Sequence, residues 1–330
     1  MPSSPLSVLD FEKPIAELEA QIEEIKRLTT EEGEDRSEEI AALEEHRERL
    51  MRQIFSNLTP WDKTLLARHP RRPYTLDFVR LMFDDYLELH GDRLFVDDKA
   101  MVGGIGVLDG RQVVFVGQQK GRDLKERQYR NFGSAKPEGY RKALRLMKLA
   151  EEFGRPIICL VDTPAADCSV GAEERGISEA IARNLLEMSL LAVPVIVAVL
   201  GEGGSGGAIG IGVGNRILML EHAIYSVIPP EGCAAILWRD PTRGPDAAAA
   251  LKITSQDALE LGVIDEIIPE PLGGAHRNVE ATAGNLKDAI LRHLADLMSV
   301  PGPELAAQRY EKFRQMGRFL AEPELAELAK

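Results

Sequence analysis

Cysteine and long apolar runs are scarce in this chain of 330 residues, and its 40 Lys and Arg residues are outnumbered by 53 Asp and Glu residues. The formal net charge of -13 argues against a surface for nucleic acid or anionic lipid, because such surfaces need clustered Lys and Arg. Cys159, Cys168 and Cys233 show no CxxC spacing, so the sequence indicates neither a disulfide framework nor a zinc module. No apolar run reaches the roughly 18 residues of a membrane-spanning helix, and no secretory signal pattern opens the chain. We therefore expect a cytoplasmic protein without membrane or nucleic-acid partners.

Residues 1–58 differ in pattern from the rest of the chain. Apolar residues recur at helical spacing in two blocks, separated by an acidic stretch with a glycine at 29–37. The stripe consists of Ile15, Leu18, Ile22, Ile25 and Leu28, then Ile40, Leu43, Leu50 and Ile54. This predicts an antiparallel helical hairpin whose second helix is capped by the side chain of Ser37. We expect its charged faces to be solvated and its narrow stripe to dock another subunit, since so small a hairpin is hardly stable alone.

From Pro73 onward, strand and helix patterns alternate. The expected elements are a helix at 74–90, strands at 101–107 and 112–117 joined by an Asp109-Gly110 turn, a helix at 140–153, a strand at 157–161, a helix at 177–191, strands at 193–200, 216–220 and 224–227, a helix at 233–238 and a polar helical tail from Asn285. Apolar runs without alternation indicate strands covered on both faces. Residues 59–330 are therefore predicted to form one α/β domain of repeated strand, strand, helix units with a helical tail.

The most informative segment is 195–208 (VIVAVLGEGGSGGA), in which an apolar strand enters a glycine-rich turn and then a helix of small residues. Glycines permit close approach to the backbone, and a helix N-terminus offers unpaired N–H donors with a partial positive charge. A second corner of this kind occupies 160–171, again after an apolar strand. Two strand ends that aim amides at one cleft have the layout of an oxyanion hole.

Residues 203–207 (GGSGG) also match the bare GxSxG pattern of a nucleophile elbow. A serine hydrolase would use Ser205 together with a base, for which His222, His276 and His293 are the candidates. A P-loop is excluded because no Gly-Lys-Ser or Gly-Lys-Thr follows the glycines. A packing corner without any ligand is the third alternative, and these patterns alone leave the choice open.

Seven separated segments, in the same order, resemble the α subunit of the bacterial acetyl-CoA carboxylase carboxyltransferase. They are 117–123 (GQQKGRD), 131–133 (NFG), 137–143 (PEGYRKA), 171–176 (GAEERG), 201–208 (GEGGSGGA), 230–234 (PEGCA) and 271–277 (PLGGAHR). The resemblance implies a crotonase-like spiral of strand-strand-helix units. It also implies transfer of a carboxyl group from carboxybiotin to acetyl-CoA, which gives malonyl-CoA for fatty acid synthesis. The implied partners are a zinc-bearing β subunit in an α2β2 heterotetramer and a biotin carboxyl carrier protein, with no metal and no attached biotin on this chain.

The resemblance further implies roles for individual residues. Gly206, Gly207 and Ala208 would form the oxyanion hole for the ureido oxygen of biotin, with Gly203 and Gly204 in the glycine turn. Contacts to biotin or substrate are implied for Ala165, Ala166, Val170, Gly171, Glu202 and Ser205, and Glu202 is expected to accept amides of the glycine turn. Lys120, Arg122, Arg141 and Lys142 are expected to meet CoA phosphates or the acidic carrier, with ordinary surface ion pairs as the alternative.

The chain departs from the family pattern at 165–169 (AADCS). Ala165 and Ser169 replace expected glycines, Cys168 replaces a proline and Asp167 replaces a tyrosine. A side chain at a position with positive φ strains a loop by on the order of 1 kcal/mol or more, and an acid beside a developing anion opposes that charge. We therefore carry a second hypothesis: a homologue that assembles with the β subunit but is catalytically weakened, regulatory or altered in its carboxyl acceptor.

Overall fold

The computed structural model describes residues 8–32 and 35–317, which contain both strands and helices. The strands are β1 (Asp85–Glu88), β2 (Met101–Leu108), β3 (Arg111–Gln118), β4 (Ile157–Thr163), β5 (Val195–Gly204), β6 (Arg216–Leu220), β7 (Ile224–Ser226) and β8 (Glu266–Ile268). The helices are α1 (Lys13–Glu32), α2 (Ser37–Phe55), α3 (Pro60–Ala67), α4 (Thr75–Met82), α5 (Leu124–Tyr129), α6 (Pro137–Glu152), α7 (Val170–Glu174), α8 (Ile177–Leu190), α9 (Ser205–Ile209), α10 (Pro230–Trp238), α11 (Gly244–Leu251), α12 (Ser255–Glu260), α13 (Val279–Leu297) and α14 (Gly302–Arg314). None of these helices is both long and apolar enough to cross a bilayer.

The strands form one mixed sheet, in the order β1-β2-β3-β4-β5-β6-β8, with β7 beside the end of β5. The pairs β1–β2 and β2–β3 are antiparallel, and every later pair is parallel. Asp109 and Gly110 make the predicted turn between β2 and β3 with φ angles of 50° and 73°, as a two-residue hairpin requires. β4 is buried along its whole length, so the apolar runs correctly indicated a covered parallel sheet.

The predicted helix over 74–90 is wrong in its second half. α4 ends at Met82, and the next residues form the edge strand β1. Tyr86 of β1 packs edge-on against Phe115, with ring centroids 6.1 Å apart. Gly104 of β2 lets β1 approach, because a Cβ atom there would overlap the β1 backbone. Non-local pairing and packing thus override the local helical spacing.

The predicted glycine turn is also wrong, because Gly203 and Gly204 continue strand β5. The first part of β5 pairs with β4 and β6, and its last three residues pair with β7. A Cβ atom on Gly203 would lie 2.6 Å from the Tyr225 ring, so the glycines allow close packing of an extended strand. The chain instead turns at Ser205, whose φ is 49°.

Helices α1 and α2 pack against each other as the predicted hairpin, with Lys26 Nζ 2.8 Å from Glu44 Oε1. Ile15, Leu18 and Ile22 of the apolar stripe are buried within this chain. The part of the hairpin that contains these three residues is therefore packed against other residues of this chain. Docking of another subunit remains a proposal for the rest of the stripe.

Helix α2 begins at Ser37, as predicted, but Ser37 does not cap it. The N-cap residue is Arg36, and its side chain makes no capping hydrogen bond. The Ser37 backbone N–H donates to Asp35 Oδ1 at 3.0 Å, so an acid two residues earlier satisfies this end of the helix. The predicted interruption at 29–37 is shorter than expected because α1 continues to Glu32; residues 33–34 lie outside the described residues.

The helical tail begins at Val279, earlier than the predicted Asn285. The Arg309 side chain in α14 is fully buried and donates to the carbonyls of Met188, Leu191 and Val193, at 2.7, 2.9 and 3.0 Å. This arginine therefore ties the tail to the end of α8 and to the segment that joins α8 to β5. The end of the predicted tail, 318–330, lies outside the described residues.

Candidate active site

The two corners that the sequence pairs come together at the ends of β4 and β5. Thr163 and Gly203 are register partners across these strands. A Cβ atom on Gly204 would overlap the Pro164 carbonyl, and one on Gly207 would lie 2.6 Å from the carbonyl carbon of Ala165. Glycine is required at both positions because the loop after β4 lies directly against the backbone after β5.

Gly206, Gly207 and Ala208 all lie in the first turn of α9, which starts directly after β5. Amides in a first helical turn have no carbonyl partner inside the helix, and they carry the positive end of the helix dipole. Beside this turn is a cavity of about 440 Å³, whose lining includes Ser205, Gly206 and Tyr225. The cleft thus places backbone donors next to a space large enough for a small ligand group.

An ion network lies beside this corner, with Lys120, Asp162 and Glu202 largely buried and Arg68 and Glu231 partly exposed. Lys120 Nζ lies 2.8 Å from Asp162 Oδ1 and 2.7 Å from Glu202 Oε2. Arg68 then joins Glu202, at 2.7 Å, to Glu231, at 2.5 Å. The expectation that Glu202 accepts amides of the glycine turn is wrong, because its carboxylate is taken by these two cations. Its own N–H donates to Asp162 Oδ1 at 3.0 Å.

The charges of this network depend on one another. Burial opposes the charge on Lys120, yet the carboxylates of Asp162 and Glu202 raise the pKa of its ammonium group. Burial also disfavours the Glu202 carboxylate, but Lys120 and Arg68 lower its pKa below the usual range. At Asp162, burial dominates and raises the pKa. Removal of Lys120 therefore leaves the buried carboxylate of Asp162 without a counter-charge.

Comparison with known proteins identifies the family. A model described as acetyl co-enzyme A carboxylase carboxyltransferase-like matches residues 8–317. The acetyl-coenzyme A carboxylase carboxyl transferase subunit alpha of Syntrophotalea carbinolica is 58% identical over 93% of this chain and 97% of that protein. The subunit of the same name from Geobacter metallireducens is 56% identical over 94% of this chain and 98% of that protein. The chain belongs to this carboxyltransferase family.

Solved structures share the fold of this carboxyltransferase. Transcarboxylase 12S matches with a TM-score of 0.53 and 18% identity, over 76% of this chain and 44% of that one. The β subunit of Pseudomonas aeruginosa geranyl-CoA carboxylase matches with a TM-score of 0.55 and 15% identity, over 75% of this chain and 46% of that one. At these identities the likeness shows the fold alone, and it confirms the predicted crotonase-like α/β architecture.

The four cations singled out in the carboxyltransferase sequence are engaged within the chain. Lys120 belongs to the buried network, and Lys142, 1% exposed, contacts Asp97 Oδ1 at 2.7 Å. The remaining two, Arg122 and Arg141, pair with Asp77 and Asp92, and Arg122 also stacks on Tyr74. Burial of Lys142 places its charge away from any external phosphate. Arg122, whose side chain is 41% exposed, stays available to the proposal below.

The unusual loop at 165–169 is not strained by positive φ angles. Neither Ala165 nor Ser169 lies in the left-handed region, and Ser169 has φ -69°. Ser169 caps α7 by accepting the Ala172 N–H at 3.3 Å. Asp167 Oδ1 in turn accepts the Ser169 N–H at 3.0 Å. Asp167 and Ser169 therefore form a local capping arrangement, which removes the strain argument for a weakened carboxyltransferase.

Ser205 has the positive φ of a sharp turn, but the candidate bases are engaged elsewhere. His276 Nε2 lies 3.1 Å from Glu12 Oε1, and His293 Nε2 lies 2.7 Å from Glu266 Oε2. His222 packs against Phe55, with ring centroids 6.0 Å apart. No histidine pairs with Ser205 in the described part of the carboxyltransferase, so the geometry gives a serine nucleophile no support.

One cluster of possible metal ligands lies outside this corner. Ligand atoms of Glu12, His69 and His276 lie within 4.8 Å of one another, all in buried side chains. Glu12 already accepts from His276 and from the Leu9 N–H, and Arg277 Nε lies 3.5 Å from its carboxylate. A positive guanidinium beside the carboxylate disfavours a cation, so we assign this cluster to anchoring the N-terminal hairpin on the core.

Reasoning from the sequence missed three residues that support the corner, namely Arg68, Asp162 and Gln118. Arg68 and Glu202 are 134 positions apart, so no local pattern joins them. Asp162 lies in the second corner, at 160–171, and an acid at the end of a buried strand is itself a signal of a buried partner. Gln118 lies in the GQQKG segment, where a polar side chain ending an apolar strand was the available signal.

Proposed function

We propose that this chain is the carboxyltransferase α subunit of an acetyl-CoA carboxylase. With a zinc-bearing β subunit in an α2β2 complex, it transfers a carboxyl group from carboxybiotin, carried on a biotin carboxyl carrier protein, to acetyl-CoA. Membership of the family supports the reaction. The assignment of the site rests mainly on the close approach of Gly207 to Ala165. This contact brings together helix α9 and the loop after β4, which we call the two walls of the site.

Backbone amides perform the chemistry that we assign to this chain. Carboxybiotin releases CO2, which the enolate of acetyl-CoA captures to give malonyl-CoA. The methyl proton lost by acetyl-CoA goes to the ureido oxygen of biotin, on which negative charge develops when CO2 leaves. We assign stabilisation of this charge to the amides of Gly206, Gly207 and Ala208, because fixed donors cost no reorganisation during the reaction. Loss of one such donor typically lowers the rate by about 10² to 10³.

The remaining proposed contacts surround these amides. Ala165 and Ala166 lie on the facing wall, Val170 and Gly171 begin α7, and Ser205 lines the cavity. The end of β5, which leads directly into α9, contains Glu202, Gly203 and Gly204, and we assign to these residues the positioning of α9. We assign the enolate of the acetyl group to a second oxyanion hole on the β subunit, and CoA or carrier contacts to exposed cations such as Arg122. The unpaired thiols of all three cysteines suit a reducing, cytoplasmic location.

The proposal is tested by reconstitution. The chain is co-expressed with a β subunit of the same complex, and the purified assembly is assayed for transfer from malonyl-CoA to free biotin, the reverse reaction. We expect transfer with both subunits and none with either alone. An assembly that forms but transfers no carboxyl group in either direction would contradict the proposal and favour the regulatory alternative. Labelling of Ser205 by a fluorophosphonate would favour the hydrolase.

A further inference from the structure

Gln118 connects the two walls of the site from inside the protein. It is the last residue of β3 and is fully buried. Its side-chain Oε1 accepts the N–H of Asp162 at 3.1 Å, near the end of β4. Its Nε2 donates to the carbonyl oxygen of Gly207 at 2.9 Å, in α9. One amide group therefore spans the strand that leads to one wall and the helix that forms the other.

The carbonyl of Gly207 lies near the C-terminal end of the short helix α9, where carbonyl groups lack N–H donors from the same helix. In α9, the carbonyls of Gly206, Ala208 and Ile209 accept the N–H groups of Gly210, Ile211 and Gly212. The carbonyl of Gly207 takes side-chain donors instead: Gln118 Nε2 and, at 3.4 Å, the Tyr140 hydroxyl. Burial raises the pKa of Tyr140, so this hydroxyl keeps its proton and remains a donor.

The direction of this carbonyl determines the direction of the next N–H. The chain has no cis peptide bond in its described part, so the peptide between Gly207 and Ala208 is trans and planar. In such a peptide the C=O of one residue and the N–H of the next point in opposite directions. A donor that holds the Gly207 carbonyl therefore also aims the Ala208 N–H toward the opposite side.

We propose that Gln118 is a positioning residue of the carboxyl transfer, which aims the Ala208 N–H at the developing oxyanion and holds the β4 end at a fixed place beside it. The inference rests on the proposed function, which assigns the Ala208 N–H to the oxyanion hole. Gln118 itself is buried beneath the cleft and touches no substrate. Its loss misdirects one donor without removing it.

Kinetics of the assembled complex test this role. Gln118→Met keeps the length of the side chain and removes both hydrogen bonds. We expect kcat for transfer from malonyl-CoA to biotin to fall about 10- to 100-fold, somewhat less than for full loss of an oxyanion donor. KM for malonyl-CoA is expected to stay within about twofold, because the thioester is bound elsewhere. Equal changes in kcat and KM, or a kcat within twofold of the wild-type value, would overturn the proposal.

Gln119→Met is the matched control. Gln119 is the adjacent residue, is also buried, and accepts a backbone N–H, that of Leu76, at 2.9 Å. It makes no hydrogen bond to α9 in the described structure. We expect this variant to lose a buried hydrogen bond with kcat within about twofold of wild type. If it loses as much kcat as Gln118→Met, general loosening explains both, and the positioning role is wrong.

A second variant keeps the test decisive if Gln118→Met fails to assemble. In Gln118→Glu, a protonated carboxyl group still accepts from Asp162 and donates to the Gly207 oxygen, whereas a carboxylate cannot donate. Burial raises the pKa of such a carboxyl group. Tyr140 and the network of Asp162, Lys120 and Glu202 are the titratable groups that surround it. We therefore expect the ratio of variant to wild-type kcat to be highest near pH 6 and to fall toward pH 9. A ratio that does not change with pH would count against the proposal.

The crystal structure of the Gln118→Met complex separates this inference from the proposed function. We expect the peptide between Gly207 and Ala208 to be rotated or to show alternate conformations, whereas Gln119→Met leaves it in place. An unchanged peptide refutes the positioning role even if activity falls. If the wild-type complex transfers no carboxyl group, the proposed function fails, and this structure still decides whether Gln118 orients the peptide.

Discussion

Gly207 lies so close to Ala165 that a Cβ atom on the glycine would be 2.6 Å from the alanine carbonyl carbon. The two walls of the site therefore meet at a residue with no side chain. Any larger residue at 207 must push the loop after β4 away from α9. The spacing between this loop and α9 is thus determined by main-chain contact.

We predict that Gly207→Ala lowers carboxyl transfer by at least about 10², because displacing the wall moves an oxyanion donor. The measurement is kcat of the reconstituted complex, together with thermal unfolding. Gly284→Ala is the matched control: this exposed glycine lies in α13 with no atom within 4 Å of an added Cβ. It should gain about 0.5–1 kcal/mol of stability and keep its activity. Equal activity in the two variants would contradict the close-contact account.

Removal of Lys120 is predicted to destabilise the fold strongly. Lys120→Met leaves the buried carboxylates of Asp162 and Glu202 without their shared cation, at an expected cost of about 3–5 kcal/mol in the free energy of unfolding. Urea unfolding measures this cost. Adding Asp162→Asn should recover part of it, since Glu202 still pairs with Arg68 and the uncompensated charge of Asp162 disappears.

The exposed pair of Lys26 and Glu44 provides the comparison for Lys120. These side chains are 44% and 41% exposed, so Lys26→Met should cost no more than about 1 kcal/mol. A loss for Lys120→Met as small as that for Lys26→Met would show that the buried network is not a stabilising unit.

Ser169 provides a test of backbone strain. Because its φ is -69° and its side chain caps α7, Ser169→Gly should not stabilise the protein and should cost a few tenths of a kcal/mol. Arg239→Gly is the contrasting variant: Arg239 follows α10 with φ 57°, so glycine there should stabilise by about 0.5–1 kcal/mol. The midpoints of thermal unfolding compare the two. A rise in the midpoint for Ser169→Gly would restore the strain hypothesis.

The sequence predicted the elements that depend on local pattern. β3 and β4 are apolar runs, and Asp109-Gly110 is a local turn signal, so all three were found in place. β1 was missed because its pairing with β2 is not encoded in its own residues. Whether Ser169 is strained depends on its φ angle, which accompanies the capping contact with Ala172 and is not given by the local sequence. The network of Lys120 joins segments far apart in the chain, and only the fold brings these together.

Arg72 and Glu270 form a fully buried ion pair, with Arg72 Nη2 2.5 Å from Glu270 Oε1. Glu270 also accepts the N–H groups of His222 and Ala275, at 3.0 and 2.7 Å. Burial disfavours the carboxylate, but Arg72 and His222 outweigh it and lower the pKa of Glu270 to about 2. An unfolded glutamate titrates near about 4.3. The pair is therefore coupled to the pH dependence of folding.

A depressed pKa in the folded state stabilises the protein above the unfolded pKa, and this contribution is lost as pH falls from about 4.3 toward 2. We predict that Glu270→Gln lowers the free energy of unfolding by about 3–5 kcal/mol at pH 7, because it leaves Arg72 buried without a counter-ion. The difference from wild type should shrink steadily below pH 4 in urea unfolding measured from pH 7 to pH 3. Glu280→Gln, at an exposed position in the first turn of α13, should cost less than about 1 kcal/mol. A penalty for Glu270→Gln that stays constant down to pH 3 would mean that ionisation of Glu270 does not stabilise the fold.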